Sequence, residues 1–210
     1  MTAADPTDRR TLRRQLRKAR RALSEQQQSA AANDLLAKLQ VRPEVRRARR
    51  VAVYLPQDGE IDPGPLAEWL HARSCLVCLP VIDPIARGSQ RLRFAPWRAD
   101  VRWQTNRFGI AEPVTARPLE PWTLDLVFLP LVGFDAEGHR LGMGGGFYDR
   151  SLDQRRPRGH RTRLIGLAHS LQQVDALPHA DHDVPLNAIA TDQAFLSVTP
   201  NRSVAERGDT

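Results

Sequence analysis

Cysteine is almost missing from this 210-residue chain, which has two, Cys75 and Cys78. Both lie in the apolar run Cys75-Leu76-Val77-Cys78-Leu79-Pro80-Val81, with no second Cys or His pair at metal-ligand spacing, so no zinc site is expected there. Residues three apart on a strand face opposite ways, which also argues against a disulfide. The expectation is two buried thiols. Long hydrophobic runs are lacking too: none approaches the roughly 18 residues that span a bilayer. The polar stretch Met1 to Asp8 has no apolar centre of a secretory signal, and the expected location is cytoplasmic. Aromatic residues make up 6% of the chain, and none interleaves the basic segment, which weighs against an arginine-rich RNA-binding module. No internal repeat, low-complexity tract or long linker divides the sequence. It reads as one domain over 9–196, with a flexible N-terminus at 1–8 and a polar tail at 197–210.

What is present fits an ordinary globular protein, with 41% hydrophobic and 26% charged residues. The net charge of +7 is unevenly placed: residues 1–50 hold 14 of the 31 Lys and Arg against five Asp and Glu, leaving the remainder slightly acidic. Leu12, Leu16, Ala19 and Leu23 recur at helical spacing from Arg9 to Leu23, and basic residues fill the rest of that circumference, reading mostly as a solvated face. Ser24 with Gln27 is a capping-box signature for a second helix running to about Gln40, with Leu35, Leu36 and Leu39 inward and Pro43 closing it.

Short apolar strands then alternate with helices. Strands are expected at 51–55, 76–82, 92–97, 124–129, 164–168 and 189–191, with helices at 65–73 and from the glycine cluster to about Asp153. Residues 98–121 read as irregular. This alternation predicts a three-layer α/β/α single domain with a mostly parallel sheet. In such sheets ligands gather where strand carboxyl ends meet helix N-termini. Three polar clusters are candidates: Gln57 to Asp62, Arg140 to Asp149, and His179 to Pro185 ahead of the last strand.

The second cluster carries the most chemistry. Gly142, Gly144, Gly145 and Gly146 lie within five positions, leaving backbone N–H groups unobstructed and permitting positive φ, as a loop around phosphate oxygens requires. No Lys-Ser/Thr follows, so this is not a Walker loop, and no acidic residue closes a following strand as in a dinucleotide fold. Arg140 before the loop suits a phosphate, and Asp149 after it suits Mg²⁺.

Leu129-Pro130-Leu131-Val132-Gly133-Phe134-Asp135 followed by Arg140-Leu141-Gly142-Met143-Gly144-Gly145-Gly146-Phe147-Tyr148-Asp149-Arg150 closely resembles the signature of the 5-formyltetrahydrofolate cyclo-ligase (5,10-methenyltetrahydrofolate synthetase) family. The arginine-rich opening through Ser24, the Tyr54-Leu55-Pro56 to Gly59-Glu60-Ile61 turn, Phe108-Gly109-Ile110-Ala111-Glu112-Pro113 and His182-Asp183-Val184-Pro185 resemble it in the same order, over about 9–195. The resemblance implies an ATP- and Mg²⁺-dependent cyclisation of 5-formyltetrahydrofolate to 5,10-methenyltetrahydrofolate with release of ADP and phosphate, on a fold similar to the sugar-phosphate isomerase/CoA-transferase type. It implies catalytic roles for Arg140, Gly145 and Tyr148. Arg9, Arg13, Arg140, Leu141, Gly142, Met143, Gly144, Gly145, Gly146, Phe147 and Tyr148 would bind ATP. Leu55, Glu60, Met143, Gly144, Gly145, Gly146 and Phe147 would bind the folate, and Asp149 and Asp181 the Mg²⁺. Trp103 or Phe108 is the candidate for stacking on pterin or aminobenzoate. The partners implied are these small molecules, with neither membrane nor nucleic acid, and a monomer. Three positions depart from the family's usual residues: Arg9 for Lys, Asp181 for Glu, and Asn187 for Asp. Two other classes fit parts of the chain, an RNA-binding module led by the basic helix and a sugar-phosphate or CoA-handling enzyme of similar architecture, which an ATP requirement would separate from a cyclo-ligase.

Overall fold

In the computed structural model the described residues are 6–83, 90–115, 117–152, 162–177 and 184–198. Five parallel strands form the centre of a seven-stranded sheet: β1 (Arg50–Ala52), β2 (Leu76–Ile82), β6 (Leu126–Pro130), β9 (Arg163–Leu167) and β10 (Ala188–Ala190). The spatial order is β11-β10-β9-β6-β1-β2-β3, and the edge strands β3 (Leu92–Pro96) and β11 (Phe195–Ser197) run antiparallel to their neighbours. The sheet is therefore mostly parallel and belongs to one α/β domain, as the alternation of elements required.

The two faces of the sheet build separate cores, because successive side chains on a strand point opposite ways. Val51, Val77, Leu79, Leu126, Phe128, Ile165 and Leu167 face α2 (Glu25–Leu39), α3 (Pro43–Arg47) and α4 (Gly64–Ala72), where Leu35, Leu39, Val45, Leu66 and Leu70 are buried. Ala52, Cys78, Val127, Leu129, Leu164 and Ile189 face the other side, covered by Leu124, Leu131, Phe134 and Leu152. Each buried Val, Leu, Ile or Phe among these contributes about 1.5–3 kcal/mol relative to exposure. Cys75 and Cys78 belong to opposite cores, both free and buried, and burial pushes their thiols up to about 11 and about 12. On the second face the only α-helix among the described residues is the short α5 (Phe147–Leu152).

Several expectations change. Ser24 and Gln27 form the capping box, Gln27 N–H donating to Ser24 Oγ at 3.2 Å and Ser24 N–H to Gln27 Oε1 at 2.9 Å. Pro43, however, starts α3 rather than closing α2, since its fixed φ and missing N–H suit a first helical position. The segment 98–121 is not wholly irregular: β4 (Trp103–Thr105) and β5 (Ala111–Pro113) pair antiparallel across the Asn106–Gly109 turn. A second small hairpin, β7 (Gly133–Phe134) with β8 (Arg140–Leu141), intervenes between the central strand and the glycine loop. Helix α1 (Pro6–Arg21) begins three residues earlier than its periodicity suggested.

Helix α1 does not join either layer. Leu16 and Leu12 pack on Val132, Leu141, Val174 and Leu177 in a third small core, seating the helix beside the β7–β8 hairpin. The buried face turns away from Ala19, which is exposed, and takes in Arg20, whose side chain is 0% exposed. The reading of the arginines as a solvated face fails at this position because carboxylates from a distant turn wait beneath it.

Candidate active site

The turn after β1 backs directly onto α1. Asp58 and Gly59 both have positive φ, 54° and 74°. A Cβ on Gly59 would sit 3.0 Å from the Arg20 carbonyl oxygen and 3.1 Å from Arg21 Cα, so only glycine fits this close backbone approach. Arg17 Nε donates to Asp58 Oδ2 at 2.6 Å, and Arg21 Nη1 lies 3.3 Å from Oδ1. The Arg17 and Arg20 guanidiniums hold the Asp58 carboxyl below its ordinary range, the hydrogen bond from Arg17 being the largest cause. The Gly59 carbonyl accepts from Gln28 Nε2 at 3.3 Å and from His169 Nε2 at 3.2 Å. Burial lowers the His169 pKa, which favours the neutral ring.

This clamped turn presents Glu60. Its side chain is 9% exposed, its Oε2 accepts from Gln57 N–H at 3.1 Å, and Oε1 lies 3.6 Å from Arg20 Nη2. Burial pushes the carboxyl up to about 7, against the opposing pull of Arg20 and the Gln57 N–H. Two tyrosines share this environment. Tyr54 donates its OH to the Ile61 carbonyl at 2.8 Å. Burial, then the charge of Glu60, raises both Tyr54 and Tyr148, so both stay neutral phenols. Glu60, at the carboxyl end of β1, and Tyr148, at the start of α5, thus feel one another electrostatically, which two segments 88 residues apart disclose only in the fold.

The glycine loop, Gly142 to Gly146, leads from β8 into α5 and is flanked by two guanidiniums. Arg13 Nε donates to the Gly142 carbonyl at 2.8 Å, and a Cβ on Gly144, which has φ +91°, would sit 3.6 Å from the Arg13 guanidinium. Burial, then the charges of Arg9, Arg10 and Arg17, lowers Arg13 below its ordinary value. Crowded cations of this kind favour an incoming polyanion. Arg150 donates to the Gly145 carbonyl from the other side. A Cβ on Gly142 would meet nothing within 4 Å, and Met143 is exposed. The loop is open on its outer side and basic along its edge.

Arg140 and Asp149 are brought together. Arg140 is buried, and its Nη2 donates to Asp149 Oδ1 while its Nη1 donates to the Val184 carbonyl. Asp149 Oδ1 also accepts from Val184 N–H at 3.2 Å. The pair therefore clasps the chain at Val184 as well as standing beside the loop. The Asp149 side chain remains 27% exposed. A partly exposed carboxylate next to a loop of open amides fits Mg²⁺, which is ordinarily held by one or two carboxylates together with nucleotide phosphates. Asp181, the other expected ligand, lies outside the described residues, as does His182. A separate group, Asp135, Glu137 and His139, has ligand atoms within 4.8 Å of one another. Asp135 already accepts from His139 N–H, His139 Nδ1–H and Leu177 N–H at 2.8–2.9 Å, and so clasps its own hairpin.

The remaining expected residues are spread around these two centres. Arg9 is half-buried one helical turn before Arg13. Leu141 is fully buried in the small core under α1, so only its backbone can face a ligand. Leu55 is half-buried just past the carboxyl end of the central strand β1, packed against the first core. Phe147 meets Phe108 edge-on, ring centroids 5.4 Å apart, which brings the exposed tip of the β4–β5 hairpin over the start of α5. Trp103 is exposed on β4. Asn187 accepts Leu164 N–H at 2.7 Å and donates its own N–H to the Leu164 carbonyl, a role in strand pairing. Arg20 and His169 had no site role in the sequence reading; Asp58 lay within the Gln57 to Asp62 cluster without a role of its own, and Arg150 closed the family signature, four residues after Gly146 and hence folding back over it on α5.

The family model of the 5-formyltetrahydrofolate cyclo-ligase family matches residues 5–192. The 5-formyltetrahydrofolate cyclo-ligase of Escherichia coli (strain K12) is 39% identical over 178 residues, covering 84% of this chain and 96% of that protein. The Haemophilus influenzae protein of the same name is 38% identical over 180 residues, covering 85% and 94%. Among solved structures, the 5,10-methenyltetrahydrofolate synthetase of Aquifex aeolicus superposes with TM-score 0.78 at 27% identity, covering 95% of this chain and 97% of that one. The Mycoplasma pneumoniae synthetase gives 0.68 at 26% identity, covering 88% and 99%. With its mostly parallel sheet, its cation-flanked glycine loop and its buried Glu60 in place, the chain belongs to the 5-formyltetrahydrofolate cyclo-ligase family of enzymes.

Proposed function

We propose that this chain converts 5-formyltetrahydrofolate to 5,10-methenyltetrahydrofolate, driven by ATP and dependent on Mg²⁺, with release of ADP and phosphate. The observation that carries this reading is that one helix, α1, lays Arg13 against the open glycine loop, which Arg150 also flanks, and Arg20 against the turn that bears the buried carboxylate of Glu60. A nucleotide's phosphates suit the loop, and the N–H groups of a reduced pterin suit the carboxylate.

The formyl oxygen is a poor leaving group as an amide, so it takes the γ-phosphoryl group of ATP. N10 then attacks the formyl carbon and loses its proton, and phosphate departs with the former formyl oxygen. Such a transfer asks the protein mainly for positioning and neutralisation of charge. Arg13, with Arg9 one turn away, anchors the polyphosphate against the loop amides. Arg140 fixes Asp149, which with Asp181 would hold Mg²⁺; the ion supplies neutralisation of phosphate charge. Glu60, ionised above about pH 7, accepts hydrogen bonds from the pterin, and neutral Tyr148 offers a donor between the two substrates. Leu55, Phe147 and Phe108 exclude water from the reacting carbon. Arg13, Arg17 and Arg20 are turned toward the loop and the Asp58 turn, so the basic helix serves the site, and no nucleic-acid partner is expected.

Purified protein with 5-formyltetrahydrofolate, ATP and MgCl₂ will develop the near-ultraviolet absorbance of methenyltetrahydrofolate. Omitting ATP, or chelating the metal, will abolish it. Folded protein that never develops the band overturns the proposal.

A further inference from the structure

We propose that Arg20 is a positioning residue for Glu60: its buried guanidinium locks the Gln57–Glu60 turn and holds the Glu60 carboxylate in place. This inference rests on the folate-binding role given to Glu60 above. Arg20 is the one basic residue of α1 with no exposure, a costly place for a cation unless every donor is met. Its Nε donates to the Asp58 carbonyl at 2.9 Å, Nη2 to Asp58 Oδ2 at 3.0 Å and Nη1 to the Leu131 carbonyl at 3.2 Å. One side chain thus ties α1 to the turn after β1 and to the end of β6.

Its relation to Glu60 is different in kind. At 3.6 Å from Nη2, Glu60 Oε1 is too far for a hydrogen bond. Arg20 therefore orients Oε1 by charge and leaves its lone pairs to a ligand, while Gln57 N–H occupies Oε2. An apolar residue would fill the same volume beneath α1 without the cost of burying a charge, but it would take from Glu60 the cation with the larger effect on it and leave only Arg17. The groups facing Glu60 are Arg20 and Arg17 from α1, Asp58 from its own turn, Tyr54 from the end of β1 and Tyr148 from α5. Arg20 and Arg17 favour the ionised carboxylate and Asp58 opposes it.

These opposite signs supply the test. In the full chain, Arg20→Met, Arg20→Lys and Asp58→Asn are compared with wild type for kcat/KM with 5-formyltetrahydrofolate from pH 5.5 to 9, for KM with ATP, and for thermal unfolding. Arg20→Met moves the acidic limb upward. A move of one unit lowers the ionised fraction at pH 7 about fivefold, and kcat/KM for the folate with it, while KM for ATP stays within about twofold. Arg20→Lys restores the limb, and Asp58→Asn moves it downward. A merely structural Arg20 would instead lower activity in step with thermal stability and leave the limb in place, and that result overturns the proposal. So would movement of Arg20→Met and Asp58→Asn in the same direction. Should Arg20→Met not fold, Arg20→Gln, which keeps polar amide atoms beneath α1 but no charge, takes its place: it moves the limb upward, opposite to Asp58→Asn, and a limb left in place overturns the proposal. Titration of glutamate carboxyl carbons by NMR, with Glu60→Gln to assign the signal, reads Glu60 without substrate. If wild type turns nothing over, the proposed function fails, and the same titration in Arg20→Met or Arg20→Gln, set against Asp58→Asn, still decides the role of Arg20.

Discussion

Replacing Glu60 by Gln separates stability from function at the site. Burial pushes the carboxyl from an ordinary 4.5 up to about 7 in the folded chain. Folding therefore takes up a proton at Glu60 between these values, and stability from this group falls as pH rises from about 4.5 to about 7, remaining low above it. The shift corresponds to about 3 kcal/mol of preference for the neutral form at alkaline pH. Gln mimics that neutral form and still offers an oxygen to Gln57 N–H. The variant should be more stable than wild type at pH 8, by about 1–3 kcal/mol once imperfect repacking is allowed for, and within about 1 kcal/mol of it at pH 5. Urea unfolding at the two pH values reads this, and steady-state kinetics should show kcat/KM for the folate falling while KM for ATP holds. A Glu60→Gln protein less stable than wild type at pH 8 would refute the reasoning, because it would mean that attraction to Arg20 outweighs the desolvation of Glu60.

Three further substitutions probe the phosphate side. Arg13→Ala removes a charged donor from the edge of the glycine loop and should raise KM for ATP about 10- to 100-fold, from the 1.5–3 kcal/mol of a hydrogen bond to a charged group, with KM for the folate little changed; an unchanged ATP value would exclude Arg13 as an anchor. Gly144→Ala forces an L-residue into φ +91° with its Cβ against the Arg13 guanidinium, so calorimetry should show weaker ATP binding at a strain cost of about 1–3 kcal/mol, and equal affinity would speak against close phosphate approach there. Asp149→Asn removes the Asp149 carboxylate from buried Arg140, and should lose about 1.5–3 kcal/mol in urea unfolding together with the response of turnover to Mg²⁺; retention of that response would place the metal elsewhere.

Local pattern made much of the scaffold legible. The apolar runs of the central strands, the Ser24–Gln27 box and the glycine cluster each act through neighbours a few residues away. The hairpins were less visible: Trp103–Thr105 and Ala111–Pro113 are three residues each and largely exposed or short of hydrophobic alternation. Within the site, the glycine loop and Glu60 were nameable in advance through motif, whereas the Arg140–Asp149–Val184 clasp was not. Its members suggested a phosphate contact and a metal ligand separately, and sequence spacing carries no information that one would satisfy the other across the start of α5.

From the sequence alone came the α/β alternation, the buried thiols, the uneven charge and the family signature, because each depends on residue type and short-range period. Only the tertiary structure decided which arginines of one basic helix turn inward. Arg10, Arg14 and Lys18 stay in solvent while Arg17 and Arg20 close on a carboxylate 41 and 38 residues away. Helical period assigns side chains to faces, but the electrostatic partner that makes burying a guanidinium tolerable is set by how distant segments meet.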